Sequence, residues 1–236
     1  MVTTVLRPEE RVFLATKRLL LRCVVFDFDG TLAKLNIDFS RMRQGVMDLI
    51  CGYNVPRGDN GLKDLFVLEM ITAGADLVSQ YQPGREIEFS ERAHALIADI
   101  EINAARKGAL FNGTRDLLTA MQRKGVRTGV ITRNCLAAVQ TLFPDIYQYT
   151  QVVITREQTP HVKPHPGHLT AALDILNVAA RQAAMVGDHP MDIKTGIDAG
   201  AFSIGVLTGY SGREALEQAG ADMILDAATD IPAILA

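Results

Sequence analysis

Arg22-Cys23-Val24-Val25-Phe26-Asp27-Phe28-Asp29-Gly30-Thr31 contains an unbroken apolar run, Cys23 to Phe26, that stops on two aspartates and a glycine. A run of that kind suits a strand buried on both faces of a parallel sheet. Asp27 then stands at the carboxyl end of the strand, the edge at which open α/β sheets bind their ligands. The same pattern recurs at 126–131, 151–154, 183–186, 202–206 and 222–225, so the chain offers six candidate strands.

Helical sequence separates them. Residues 114–124 carry Leu117, Leu118 and Met121 at helical spacing and close on Gly125, while 134–143 stop before Pro144. Residues 171–178 and 191–199 add two more, the latter closed by Gly200, and Ser211-x-x-Glu214 reads as a capping box that opens another. Alternating strands and helices predict a doubly wound, mainly parallel, Rossmann-like α/β sheet. One stretch, 35–110, breaks the alternation with helical patterns such as Met42, Val46, Leu49 and Ile50, or Ala93, Leu96, Ile97 and Ile100. It is expected to be an inserted helical cap, with Pro83-Gly84 separating a middle helix from one that starts near Ser90. The core then comprises 1–34 and 111–236, with 1–21 an N-terminal extension in which Pro8 to Arg18 reads as a short helix.

With 22% charged and 48% apolar residues the chain reads as an ordinary globular protein and not a disordered one. The net charge of −3 comes without a long block of either sign, so no nucleic-acid polymer or anionic membrane is expected as a partner. Cys23, Cys51 and Cys135 form no Cys-x-x-Cys pair, and no run approaches the ~20 apolar residues of a membrane span. A reducing, cytoplasmic setting is the expectation.

Two aspartates before a glycine are, taken alone, ordinary cap or turn residues. Here they are followed in order, each after a candidate strand, by Val130-Ile131-Thr132, by Lys163-Pro164-His165-Pro166 and by Gly187-Asp188-His189-Pro190-Met191-Asp192. This ordered set resembles the four motifs of the haloacid dehalogenase-like superfamily, in the branch of phosphoglycolate phosphatases and β-phosphoglucomutases that carry a helical cap. The resemblance implies that Asp27 is a nucleophile that becomes an aspartyl-phosphate and that Asp29 is the general acid and base. It assigns Thr132 to the phosphoryl group, Lys163 to steadying it, and Asp188 to a magnesium site shared with Asp27 and the backbone carbonyl of Asp29. It further implies that Asp192 supports that metal through water or hydrogen bonds. The chemistry agrees: a carboxylate attacks phosphorus only when the charge on both partners is neutralised, which a hard Mg2+ ion and a lysine can do.

An aspartate at position 29 sets the chain apart from the dehalogenase and phosphonatase branches, because a phosphate ester needs a proton for its leaving group and a base for water. The expected activity is hydrolysis of a small phosphorylated metabolite. A phosphomutase is the nearest alternative, and a binding or regulatory protein on the same scaffold is a third. Arg133 and Asn134 follow Thr132 and either face the phosphate or cap a helix. Asp192 has its own bland reading as a first-turn helix acid. His161, His165 and His168 invite a zinc reading, but the intervening prolines favour a solvent-facing loop; His189 is expected to shape the loop after Asp188, and His94 to be a polar position on a cap helix. Where the phosphoglycolate-phosphatase pattern often continues with Asp-Ser, this chain has Ala33-Lys34-Leu35. Within the cap, spacing assigns none of Arg41, Arg43, Lys63 or Arg92 to a substrate, and the oligomeric state is not legible.

Overall fold

A computed structural model describes residues 20–58 and 61–235, in two compact units: one holds the described residues up to Leu35 together with those from Gly108, the other Asn36–Lys107. The helix expected near Pro8 to Arg18 lies outside the described residues.

In the first unit the strands β1 (Cys23–Phe26), β4 (Arg127–Ile131), β5 (Val152–Ile154), β6 (Ala183–Gly187), β7 (Phe202–Val206) and β8 (Met223–Leu225) form one parallel sheet in the order β5-β4-β1-β6-β7-β8. All six fall where the apolar runs place them. Every residue of β1 is buried, as expected for a strand covered on both faces. On one face Cys23 and Val25 pack with Leu169, Leu173 and Leu176 of the helix α6 (Gly167–Leu176). The chain runs outward from β1 to β4 and β5, then returns to β6 on its other side. This reversal puts the carboxyl ends of β4, β1 and β6 side by side at the switch point, where a ligand crevice is expected.

The remaining helices of this unit are α4 (Thr114–Arg123), α5 (Leu136–Leu142), α7 (Pro190–Ala199), α8 (Arg213–Gln218) and α9 (Ile231–Ile234). Two helices and one strand pair of this unit differ from the sequence reading. α6 starts at Gly167, four residues before the expected 171, so His168 is a buried helical residue and not part of a solvent-facing loop. It ends at Leu176 because Asn177 turns left-handed, with φ 50°. No capping box forms at Ser211: α8 starts at Arg213 behind Gly212, without a side-chain cap. A short antiparallel pair, β2 (Ala33–Lys34) with β3 (Ala109–Leu110), escaped the reading, since two-residue strands have no periodicity to detect.

The second unit is helical, with α1 (Phe39–Gly52), α2 (Val67–Tyr81) and α3 (Glu86–Ala105). Asp38 caps α1 by accepting the Arg41 N–H at 2.9 Å. Met42, Val46 and Ile50 of α1, Met70, Ile71 and Val78 of α2, and Phe89, Ala93 and Ile97 of α3 are buried. α3 begins at Glu86 and not near Ser90: its first turn is marked by Glu86 and Glu88, which suit a helix N-terminus electrostatically, and its apolar face begins only at Phe89. Arg43 donates to the carbonyls of Leu62, Lys63 and Leu65, and Arg92 donates to the Tyr53 hydroxyl, so both arginines serve the unit's own architecture.

Candidate active site

Asp27 follows β1 and is buried, as are Thr132 after β4 and Asp188 after β6. Lys163 arrives from the segment between β5 and α6, and its ammonium donates to Asp27 Oδ1. Asp192 Oδ1 lies 2.6 Å from the same ammonium, a contact without hydrogen-bond directionality. Asp27, Asp188 and Asp192 each present a carboxylate oxygen within 4.8 Å of the others. The sheet thus gathers Asp27, Lys163 and the Asp188–Asp192 segment from three distant parts of the chain.

A backbone device shapes this cluster. Gly30 takes φ 88°, and a Cβ there would sit 2.5 Å from Asp188 Cγ, so any side chain would both strain the backbone and strike the acid. The loop is closed by the Leu32 and Ala33 N–H groups donating to Phe28 O and by Gly30 N–H donating to Ala33 O. Asp29, at the start of this turn, is not one of the three clustered acids. Asp29 Oδ1 accepts the Leu35 N–H at 2.9 Å. The contact uses only the Leu35 backbone, so the Ala33-Lys34-Leu35 departure does not remove it.

Asp192 serves two ends. At the first turn of α7 its Oδ2 accepts the His189 N–H at 3.1 Å, and His189 Nδ1 accepts the Met191 N–H, a reciprocal cap. Its Oδ1 faces Lys163. Both sequence readings of Asp192 therefore hold together, and His189 shapes the loop after Asp188 as expected.

Three carboxylates against one ammonium leave this pocket formally at −2. Burial pushes the Asp27 carboxyl well above the usual range, Lys163 pulls it back, and Asp192 and Asp188 push it further up. Burial, helped by Asp192, raises Asp188 to about 6, against the hydrogen bond it accepts from Tyr210 N–H. Burial works against the Lys163 charge, yet Asp192 and Asp27 hold its ammonium above the usual range. The arrangement stores repulsion that a cation would relieve. A carboxyl whose pKa is raised by folding adds stability below its unfolded value, and that stability is lost as pH rises through the folded value. For Asp188 the window runs from the ordinary ~4 to about 6, roughly 3 kcal/mol. In chelator, urea unfolding should therefore show Asp188→Asn gaining stability over the wild type by about that amount between about pH 4 and pH 7.5. A pH-independent difference would contradict the stored repulsion.

Thr132 Oγ1 accepts the Asn134 N–H at 3.2 Å, which leaves its hydroxyl proton to donate elsewhere. Arg133 donates to the Lys163 carbonyl, and Arg156 donates to Arg133 O at 3.1 Å. These contacts tie Arg133 to the backbone around Lys163, and neither Arg133 nor Asn134 is placed on the acids by them. His168 Nδ1 accepts the Lys163 N–H at 3.1 Å, and its Nε2 lies 3.1 Å from Ile154 O. Those partners assign the neutral tautomer with the proton on Nε2. Burial, with Lys163 nearby, pushes His168 down to about 3, so it stays neutral. His161 and His165 stack on each other, 4.1 Å between ring centroids, and are exposed. His94 is exposed on α3.

The sequence reading passed over the segment after β7. Thr208 Oγ1 donates to Gly30 O at 2.6 Å, Tyr210 N–H donates to Asp188 Oδ2 at 2.8 Å, and the Tyr210 hydroxyl lies 3.3 Å from Asp29 Oδ2. A Cβ on Gly209 would come within 2.0 Å of Asp188 Oδ2. The available signal was position: this segment leaves the carboxyl end of a sheet strand, as the segments bearing Asp27, Thr132 and Asp188 do.

Residues 24–206 match the family described as haloacid dehalogenase-like hydrolase. The chain belongs to that family. Among its curated relatives, the pyrophosphatase PpaX of Bacillus cereus is 33% identical over 117 residues, 49% of this chain and 54% of the relative. The phosphoglycolate phosphatase of Escherichia coli is 34% identical over 124 residues, 52% of this chain and 49% of the relative. The chain spans about half the length of these relatives. A crystal structure of a hydrolase from Pseudomonas syringae shares the fold, with a TM-score of 0.66 at 18% identity, covering 89% of this chain and 95% of that one. As a haloacid dehalogenase-like hydrolase, the protein combines a mainly parallel core sheet with an inserted helical unit, and its buried aspartate triad can hold a metal ion. Among the described residues no helix is long and apolar enough to cross a membrane.

Proposed function

We propose that this hydrolase is a magnesium-dependent phosphatase that cleaves a small phosphate monoester through an aspartyl-phosphate on Asp27. The observation that carries the reading is the buried triad tied by one lysine, with Asp29 held apart from it on its own hydrogen bond.

The donor set fits a hard divalent cation. Its side-chain ligands are all carboxylate oxygens, and three of them against the single Lys163 ammonium leave the pocket with an excess of negative charge. Asp27, Asp188 and the backbone carbonyl of Asp29 would hold Mg2+, with Asp192 supporting it through water or hydrogen bonds. When bound, the ion supplies charge neutralisation between the nucleophile and the phosphoryl oxygens.

The residues of the chain do the rest. Lys163 aims Asp27, draws its carboxyl toward the ionised form against burial and the neighbouring acids, and presents positive charge to the phosphoryl oxygens. Thr132 donates its hydroxyl proton to one of those oxygens, and Arg133 and Asn134 border the same site. An Asp27 oxygen attacks phosphorus, the bond from phosphorus to the ester oxygen breaks, and Asp29 gives its proton to the departing oxygen. Asp29, now a carboxylate, takes a proton from water as the water oxygen attacks phosphorus. The bond from phosphorus to Asp27 then breaks, and inorganic phosphate leaves with both carboxyl groups restored.

The names of the relatives, a pyrophosphatase and a phosphoglycolate phosphatase, keep the substrate among small phosphorylated compounds. Ala33-Lys34-Leu35, where the phosphoglycolate-phosphatase pattern often continues with Asp-Ser, advises against borrowing that substrate. The purified protein should release inorganic phosphate from p-nitrophenyl phosphate and from members of a phosphorylated-metabolite panel when magnesium is present, and stop in chelator. A folded protein inert across that panel would sink the reading. Conversion of a hexose 1-phosphate to the 6-phosphate with little free phosphate would replace it with a mutase.

A further inference from the structure

We infer that Tyr210 is a positioning residue for Asp29, holding the carboxyl oxygen through which Asp29 exchanges its proton. The inference rests on the phosphatase reading and adds to it a residue outside the four sequence motifs.

Asp29 has two oxygens in different company. Oδ1 accepts a backbone N–H from Leu35 at 2.9 Å. That donor favours Oδ1 as the unprotonated, carbonyl-like oxygen of the acid, so the exchangeable proton belongs on Oδ2. Oδ2 is the oxygen that faces the Tyr210 hydroxyl, at 3.3 Å. A hydroxyl can donate to Oδ2 when Asp29 is a carboxylate. It can still donate to the remaining lone pair when Oδ2 carries the proton, so the carboxyl plane stays oriented through both halves of the cycle.

The segment bearing Tyr210 is anchored where such a task requires it. Thr208 Oγ1 holds Gly30 O at 2.6 Å, and the Tyr210 N–H holds Asp188 Oδ2 at 2.8 Å. The close approach of Gly209 to Asp188 leaves no room for a side chain. Tyr210 thus joins a triad acid through its backbone to the acid-base carboxyl through its side chain. The ordinary reading of a tyrosine that is 58% exposed is a surface residue with no task. It accounts for neither anchor.

Tyr210→Phe tests the hydroxyl alone, because the ring and the backbone N–H to Asp188 remain. Two leaving groups separate a positioning role from a structural one: a nitrophenolate departs as an anion, whereas an alkoxide needs a proton from Asp29. The measurement is kcat/KM for p-nitrophenyl phosphate and for the alkyl phosphate that the wild type turns over fastest. The loss on the alkyl ester should be roughly 5- to 10-fold, and on the aryl ester less than about 2-fold, the scale of one hydrogen bond acting on one step. Half-saturating magnesium should not move. Equal losses on both esters, or no loss on either, would overturn the inference while leaving the phosphatase reading in place. A wild type inert on both esters would overturn the two together.

Discussion

Asp27→Asn is expected to lower turnover by about 10^4-fold or more while the protein stays folded. The amide has the shape of the carboxylate but no nucleophilic oxygen, so the first bond to phosphorus cannot form. Remaining groups, chiefly Lys163 and Thr132, would still bind a phosphate ester, so substrate affinity should survive the change. Stability should not fall in metal-free protein at neutral pH. Burial and two neighbouring carboxylates disfavour the ionised form of Asp27, and the substitution removes that repulsion while Lys163 keeps Asp192 as a partner. Parallel measurement of kcat and of the urea unfolding midpoint checks both halves. Retention of more than about 1% of wild-type turnover would exclude Asp27 as the nucleophile.

That separation of activity from stability reflects how the pocket is built. A buried lysine between carboxylates is a poor stabiliser, because desolvating the charges offsets much of their attraction. The cluster is better understood as geometry maintained at the expense of stability. The sheet supplies the energy for that: β1 is wholly buried, and β4 and β6 pair with it residue by residue on either side.

The sheet was legible because each core strand is an apolar run ended by polar residues, and Asp27 and Asp188 of the clustered acids stood out because they sit at those ends. Asp27, Thr132, Lys163 and Asp188 needed only order along the chain to be recognised. What escaped was interaction across loops. His168 read as a loop histidine because Pro164 and Pro166 precede it, although the helix begins at the very next residue, Gly167, and buries the ring against the Lys163 and Ile154 backbones. Tyr210 was hidden by the nearby Ser211-x-x-Glu214 pattern, whose capping logic explains local spacing but not a contact 181 positions away. Cap arginines such as Arg43 spend their donors on backbone carbonyls, a use that no spacing rule announces.

Asp29→Asn carries the second large expected effect and gives the sharpest view of the chemistry. An amide can neither protonate an alkoxide nor take a proton from water, so steady-state turnover of an alkyl phosphate should fall by roughly 10^2- to 10^4-fold. With p-nitrophenyl phosphate the first step needs no acid, and only the second is blocked. The decisive measurement is therefore the pre-steady-state release of nitrophenolate by Asp29→Asn in magnesium, with mass spectrometry of the acid-quenched protein. The account predicts a burst of about one nitrophenolate per chain, followed by slow turnover, and a phosphoryl group on the peptide that contains Asp27. A wild type that turns over the ester, beside a folded Asp29→Asn protein with neither burst nor phosphorylated Asp27, would contradict it.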